Sequence, residues 1–197
     1  MFSDRLLTFL TAILLITGIG TIGYVFWGDK IVKLSNDFNF STGDMSCVKQ
    51  KLDVSQEDEF MMGLIEQNTK LVVLKDYYDC NKIQRGDIVY TRFSASIQPI
   101  VKVVRAVGGD KFEVIPDGGS KRRYHIKVNG EYVTDRMGKF TIESLVVPPL
   151  QTYQDARNGV LKDDEVMILS NVSPGKSDSA SLGLIKDRFV EGKVIIQ

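Results

Sequence analysis

Short apolar runs broken by turn residues fill the chain after residue 70, and they constrain its fold more than any other feature. Leu71 to Leu74, Asp87 to Tyr90, Pro99 to Val107 and Lys111 to Ile115 read as strands, as do Tyr124 to Val128, Glu165 to Leu169 and Gly192 to Ile196. Asn129-Gly130 supplies a two-residue hairpin turn before Glu131-Tyr132-Val133, and Gly118-Gly119 marks another turn. Strands of this length, recurring every ~8–12 residues, call for an all-β sandwich or barrel of antiparallel sheets. Gln56 to Asn68 has helical spacing at Phe60, Leu64 and Ile65 and is expected to form a helix, with a lid or loop as the alternative. Glu57-Asp58-Glu59 would be its exposed acidic start.

The N-terminus obeys different chemistry. Leu6 to Trp27 holds no charged residue over 22 positions. As a helix it would extend about 33 Å, enough for a hydrocarbon core of ~30 Å. Tyr24, Phe26 and Trp27 suit an interface, so an uncleaved single-span anchor is expected. The chain then divides into a tail at 1–5, a transmembrane anchor at 6–27, a linker at 28–40 and a β domain at 41–197. Charge does not orient the span: Arg5 precedes it against Asp4, and Lys30 and Lys33 follow it against Asp29.

Lys+Arg and Asp+Glu are equal at 25 each, which gives no footing for nucleic acid. The single histidine, His125, speaks against a His-based triad or a multi-His metal site. Cys47 and Cys80 both follow the span. They fit either a disulfide in an oxidising compartment or two buried thiols. Lys121-Arg122-Arg123 reads as a solvated hairpin tip.

One lysine stands out. Lys102 lies between Val101 and Val103, and strand alternation puts Ile100 and Val104 on its own face. An amine so placed is either a snorkelling edge residue or a desolvated base. Nonpolar neighbours at the alternate positions favour the base.

Four ordered segments carry a family resemblance. They are Ser41-Thr42-Gly43-Asp44-Met45-Ser46-Cys47, Arg85-Gly86-Asp87-Ile88-Val89, Lys102 to Asp110, and Ser177-Asp178-Ser179-Ala180-Ser181-Leu182-Gly183, with Ile126 to Gly130 as a hairpin before the last. Together they resemble the bacterial type I signal peptidases, whose boxes read Ser-x-Ser-Met, Arg-Gly-Asp-Ile-Val, a lysine box ending in Gly-Asp, and Asp-Ser-Arg-x-x-Gly. The resemblance implies a mostly β, antiparallel domain behind one N-terminal membrane helix. It also implies a serine nucleophile with a neutral lysine as base, and no cofactor or metal. Leu169-Ser170 followed by Pro174 and the Ser-Asp-Ser run is closest to the conjugative-transfer members, which mature pilins. The implied partners are an exported precursor or pilin and the membrane. The implied location is the inner membrane, single-pass, with the domain on the periplasmic or outer face.

Lys102 falls on the family's base. The nucleophile stays open between two frames. With Met45 on the family methionine, Thr42 takes the oxyanion role and Asp44 the nucleophile slot, which would leave the chain inactive and able to act as a binding or assembly factor. Shifted by two residues, Ser46 is the nucleophile; Cys47 is a third option. In the last box Ala180 replaces the arginine, and Lys176 replaces the serine two positions before the aspartate. Asp178 therefore needs another partner, with Arg188 as a candidate, and Ser177 and Ser179 are the hydroxyls left to orient Lys102.

Overall fold

A computed structural model describes residues 24–27, 30–33, 38–39, 41–92, 98–119, 122–144 and 147–196, the first two stretches by backbone alone. It divides into a unit over Met1–Asn36 and a unit over Asp37–Gln197. In the first unit, β1 (Tyr24–Trp27) pairs antiparallel with β2 (Lys30–Lys33). The predicted anchor thus falls mostly outside the described residues, and its last four positions are strand. Aromatic and β-branched residues before a Gly-Asp pair suit a hairpin. Among the described residues no helix is long and apolar enough to cross a membrane.

The second unit is built on β3 (Gln50–Ser55), β4 (Lys70–Lys75), β5 (Ile88–Thr91), β6 (Ile100–Ala106), β7 (Phe112–Pro116), β8 (Arg123–Val128), β9 (Glu131–Tyr132), β10 (Thr134–Asp135), β11 (Gly138–Lys139), β12 (Thr141–Glu143), β13 (Glu165–Leu169), β14 (Ile185–Lys186) and β15 (Val190–Ile196). Two α-helices join them, α1 (Pro149–Arg157) and α2 (Ser179–Leu182). The expected β class holds. Seven strands form one antiparallel sheet in the order β14-β13-β6-β5-β15-β4-β3. A smaller sheet has the order β12-β8-β7, with β9 on β8.

The large sheet is covered on both faces. β4 sends Leu71 and Val73 to one apolar cluster and Val72 and Leu74 to another. β6 does the same with Val101 and Val103 against Val104. A strand buried on both sides needs apolar residues at consecutive positions, which is why these strands read as runs rather than alternations. Burying each such side chain contributes about 1.5–3 kcal/mol. Asn129 and Gly130 have φ of 51° and 88°, the paired left-handed conformations that a two-residue turn between β8 and β9 requires.

Three local expectations change. Gln56 to Asn68 is a loop, not a helix. Gln56 N–H donates to Thr69 O and Asn68 N–H to Gln56 O, so the loop closes on itself, and Gly63 at φ 83° breaks the helical path. β3 and α1 were not anticipated. α1 starts at Pro149, whose fixed φ suits a first turn, and ends at Asn158 in the left-handed conformation.

Cys47 and Cys80 form a disulfide across 33 residues. It ties the segment before β3 to the 3-10 turn Tyr77–Asp79. Cys80→Ser is expected to cost about 2–4 kcal/mol in urea unfolding under non-reducing conditions. A loss under ~1 kcal/mol would mean that the neighbouring hydrogen bonds hold the segment alone.

Candidate active site around Lys102

Lys102 sits inside the large sheet, paired with Val89 on β5, and is wholly buried. Among the described residues its Nζ has no hydrogen-bond partner. The nearest aromatic group is Phe60, whose ring centroid is 5.5 Å from Nζ. Burial pushes the amine below the ordinary lysine value, and the carboxylates of Asp58 and Asp178 draw it only part of the way back. The desolvated-base reading of Lys102 therefore has the burial and the apolar wall it requires. Ile100 and Val104 both pack in the cluster that holds Val89 and Ile168.

Asp178 is also wholly buried. Its carboxylate accepts from Ser170 N at 3.1 Å and from Ala180 N at 3.1 Å, and Ser181 closes a capping box at the start of α2. Backbone amides thus do what an arginine partner would do. Arg188 stacks on Phe189 instead. Ser179 Oγ accepts from Ile168 N at 3.0 Å and so pins β13. Ser177 is half-buried at φ 53°.

The 41–47 segment lies elsewhere. Asp44 is exposed, accepts from Ser46 N at 2.8 Å, and has its carboxyl held below the usual range by the Ser46 backbone and side chain. Asn81 brackets its backbone, accepting from Asp44 N and donating to Asp44 O. Ser46 Oγ is 3.4 Å from Cys80 Sγ. Thr42 is exposed. Neither Ser46 nor Asp44 bonds to Lys102, and the disulfide removes Cys47 as a thiolate.

The other boxes are structural. Asp87 is 1% exposed and takes four donors: Lys193 Nζ at 2.7 Å, Asn39 Nδ2 at 2.9 Å, Gln84 N at 2.9 Å and Tyr78 Oη at 3.1 Å. Burial, with the Asp87 carboxylate alongside, raises the Tyr78 phenol far above its usual value. Arg85 Nε reaches Asp110 Oδ2 at 3.5 Å, and Asp110 Oδ1 accepts from Asn129 Nδ2 at 2.8 Å. These contacts tie the Arg-Gly-Asp segment, the Gly-Gly-Asp turn and the Asn-Gly hairpin together.

The model of the family described as signal peptidase, peptidase S26, matches residues 52–197. The chain belongs to the signal peptidase family. Membership brings peptidase function as the family's activity and exported precursors as the substrates it implies. No curated protein matches the chain. The signal peptidase match begins after residues 41–47, so the segment first read as the serine box lies outside it. Inside it, Asp58-Glu59-Phe60-Met61 lies against Lys102. Met61 is wholly buried, as a methionine that fixes a box should be, whereas Met45 is 38% exposed. Phe60 and Asp58 precede Met61 in the loop that faces Lys102. Asp58 Oδ1 accepts from Phe60 N at 3.0 Å and Gln56 Nε2 at 2.7 Å, which holds the loop against the lysine. Sequence reading passed over this tetrapeptide because it contains no hydroxyl. A methionine four residues before Ile65, in the loop leading into β4, was the available signal.

Proposed function

We propose that this protein processes exported precursors as a signal-peptidase-type endopeptidase with Lys102 as its general base. The observation that carries this is the burial of an amine with no hydrogen-bond partner among the described residues. Such a group is costly to keep unless its neutral form is used. An amine held below its ordinary value can take a proton from a hydroxyl as it attacks an amide carbonyl. Ser46 is the nucleophile the sequence offers, and the dyad requires its segment to reach Lys102. The uncharged stretch that begins at Leu6 and precedes β1 would anchor the chain in the inner membrane, and the Cys47–Cys80 disulfide supports a domain on the oxidising, periplasmic or outer face. The substrates would be signal peptides or pilin-type precursors.

Lys102→Met tests the base. Cleavage of exported precursors by the full-length chain in membranes is expected to vanish. Cleavage at the wild-type rate would sink the reading. Stability should move the other way. In the unfolded chain Lys102 holds its proton up to about pH 10.4. In the folded chain it gives the proton up at lower pH. Between the two values the unfolded state binds more protons, so stability rises with pH and the penalty is greatest below the folded value. Lys102→Met removes a penalty of about 1.4 kcal/mol per unit of depression. Urea midpoints of the variant should exceed wild type at pH 7, and the gap should close towards pH 10.

A second reading rests on Phe60. If Met61 stands for the methionine of Ser-x-Ser-Met, Phe60 takes the attacking serine's slot and Asp58 the oxyanion serine's, and a phenyl ring there favours a relative that holds precursors without cutting them, as a binding or assembly factor in secretion or conjugation. Wild-type protein that retains a precursor in pull-down yet leaves it intact would select this reading.

A further inference from the structure

Ser170 follows directly on β13. The register of β13 against β6 pairs Ile168 with Val104 and Leu169 with Val103, and carrying it one residue past the end of β13 would set Ser170 opposite Lys102. Both residues are wholly buried, and Ser170 Oγ, like Lys102 Nζ, has no hydrogen-bond partner among the described residues. Two unmet polar atoms on facing positions of adjacent strands each carry an uncompensated loss of water. Opposite residues in an antiparallel pair have Cβ atoms ~4.5–5.5 Å apart, well inside the reach of a lysine side chain.

Other hydroxyls near Lys102 are committed or displaced. Ser179 Oγ is taken by Ile168 N. The position two before Asp178 is Lys176, which is exposed. The loop at Gly175 closes over Ser170, and a Cβ there would stand 3.0 Å from Ser170 Oγ and collide with the Asp178 carboxylate. The carboxylate of Asp178 fixes the Ser170 backbone from the other side. Asp178 links the two: its carboxylate accepts from Ser170 N and its charge acts on Lys102 Nζ, which also faces Asp58 and Phe60.

We infer that Ser170 is the positioning residue for Lys102: a rotation of the two unpartnered side chains lets its hydroxyl donate to the lone pair of the neutral amine and fix the direction in which Nζ points. The assignment rests on the reading of Lys102 as a base. It moves a role the family pattern gives to the last box onto the strand beside the lysine.

The test reads the amine, not cleavage. Full-length protein labelled with 13C at lysine Cε is titrated by NMR, with the Lys102 signal identified by its loss in Lys102→Arg. A donor to the neutral amine favours that form. Ser170→Ala is therefore expected to raise the Lys102 midpoint towards the ordinary lysine value, and Ser170→Thr, which keeps the hydroxyl, to leave it in place. Ser170→Gly removes the hydroxyl without adding bulk and should match Ser170→Ala. The Lys193 signal, from a lysine paired with Asp87, reports whether the sheet stays intact. A depressed midpoint that Ser170→Ala and Ser170→Gly leave unmoved, or lower, overturns this assignment and spares the base reading. A wild-type Lys102 that titrates as an ordinary lysine overturns both.

Discussion

Phe60→Ser is expected to raise cleavage of exported precursors by about 10²-fold or more, the usual worth of a positioned general base. The argument is local. The Phe60 ring centroid lies 5.5 Å from Lys102 Nζ, and the backbone that carries it is fixed by the Asp58 carboxylate and by buried Met61. Removing the ring exposes Lys102 Nζ on that side and puts a hydroxyl in the ring's place. Quantifying precursor and product by mass spectrometry checks it. Lys102→Met in the same chain should return cleavage to background, because the new hydroxyl would have no base. A folded Phe60→Ser protein no faster than wild type would remove the slot from Phe60 and return attention to Ser46.

Asp87→Ala should be the most damaging single change to the fold, at about 3–5 kcal/mol in urea unfolding. Lys193 Nζ sits 2.7 Å from Asp87 Oδ1, and both side chains are 1% exposed. Removing the carboxylate strands a buried ammonium and orphans the Tyr78 hydroxyl, while the Asn39 amide keeps only Gln84 Oε1. Replacing both members, as Asp87→Leu with Lys193→Met, is expected to recover much of the loss, since no charge then stays buried. A loss under ~1 kcal/mol for Asp87→Ala would show that water enters and solvates Lys193.

The β architecture was legible because the large sheet is buried on both faces, so its strands announce themselves as unbroken apolar runs. Lys102 was legible for the same reason: one ammonium in such a run has few explanations. The box that faces it was not. Neither Met45 nor Met61 follows a Ser-x-Ser, so a methionine alone could not choose between the two segments; in the fold Met61 is buried and Met45 is 38% exposed. Short hydroxyl-rich segments attract a search for a serine, and Asp58-Glu59-Phe60-Met61 offered none. The loop at 56–68 read as a helix because Phe60, Leu64 and Ile65 are correctly spaced. Spacing carries no record of Gly63 turning the backbone left-handed or of Gln56 bonding across the loop's ends. α1 escaped notice because only Leu150 is buried, which leaves too faint a stripe to see. The Arg-Gly-Asp segment was matched as a motif of the resemblance, yet its aspartate serves the core, a role set by Lys193 more than a hundred residues later.

The place of β15 in the sheet has a consequence for the chain's birth. β15 is the last described strand in sequence, yet it lies between β5 and β4 and hydrogen-bonds to both. As the polypeptide leaves the ribosome, β4 and β5 have no partner on that side until residues 190–196 emerge. Half-built sheets with open inner edges invite pairing with other chains. The large sheet cannot close before β15 has been made, so until then a nascent chain carries an open inner edge on β4 and on β5.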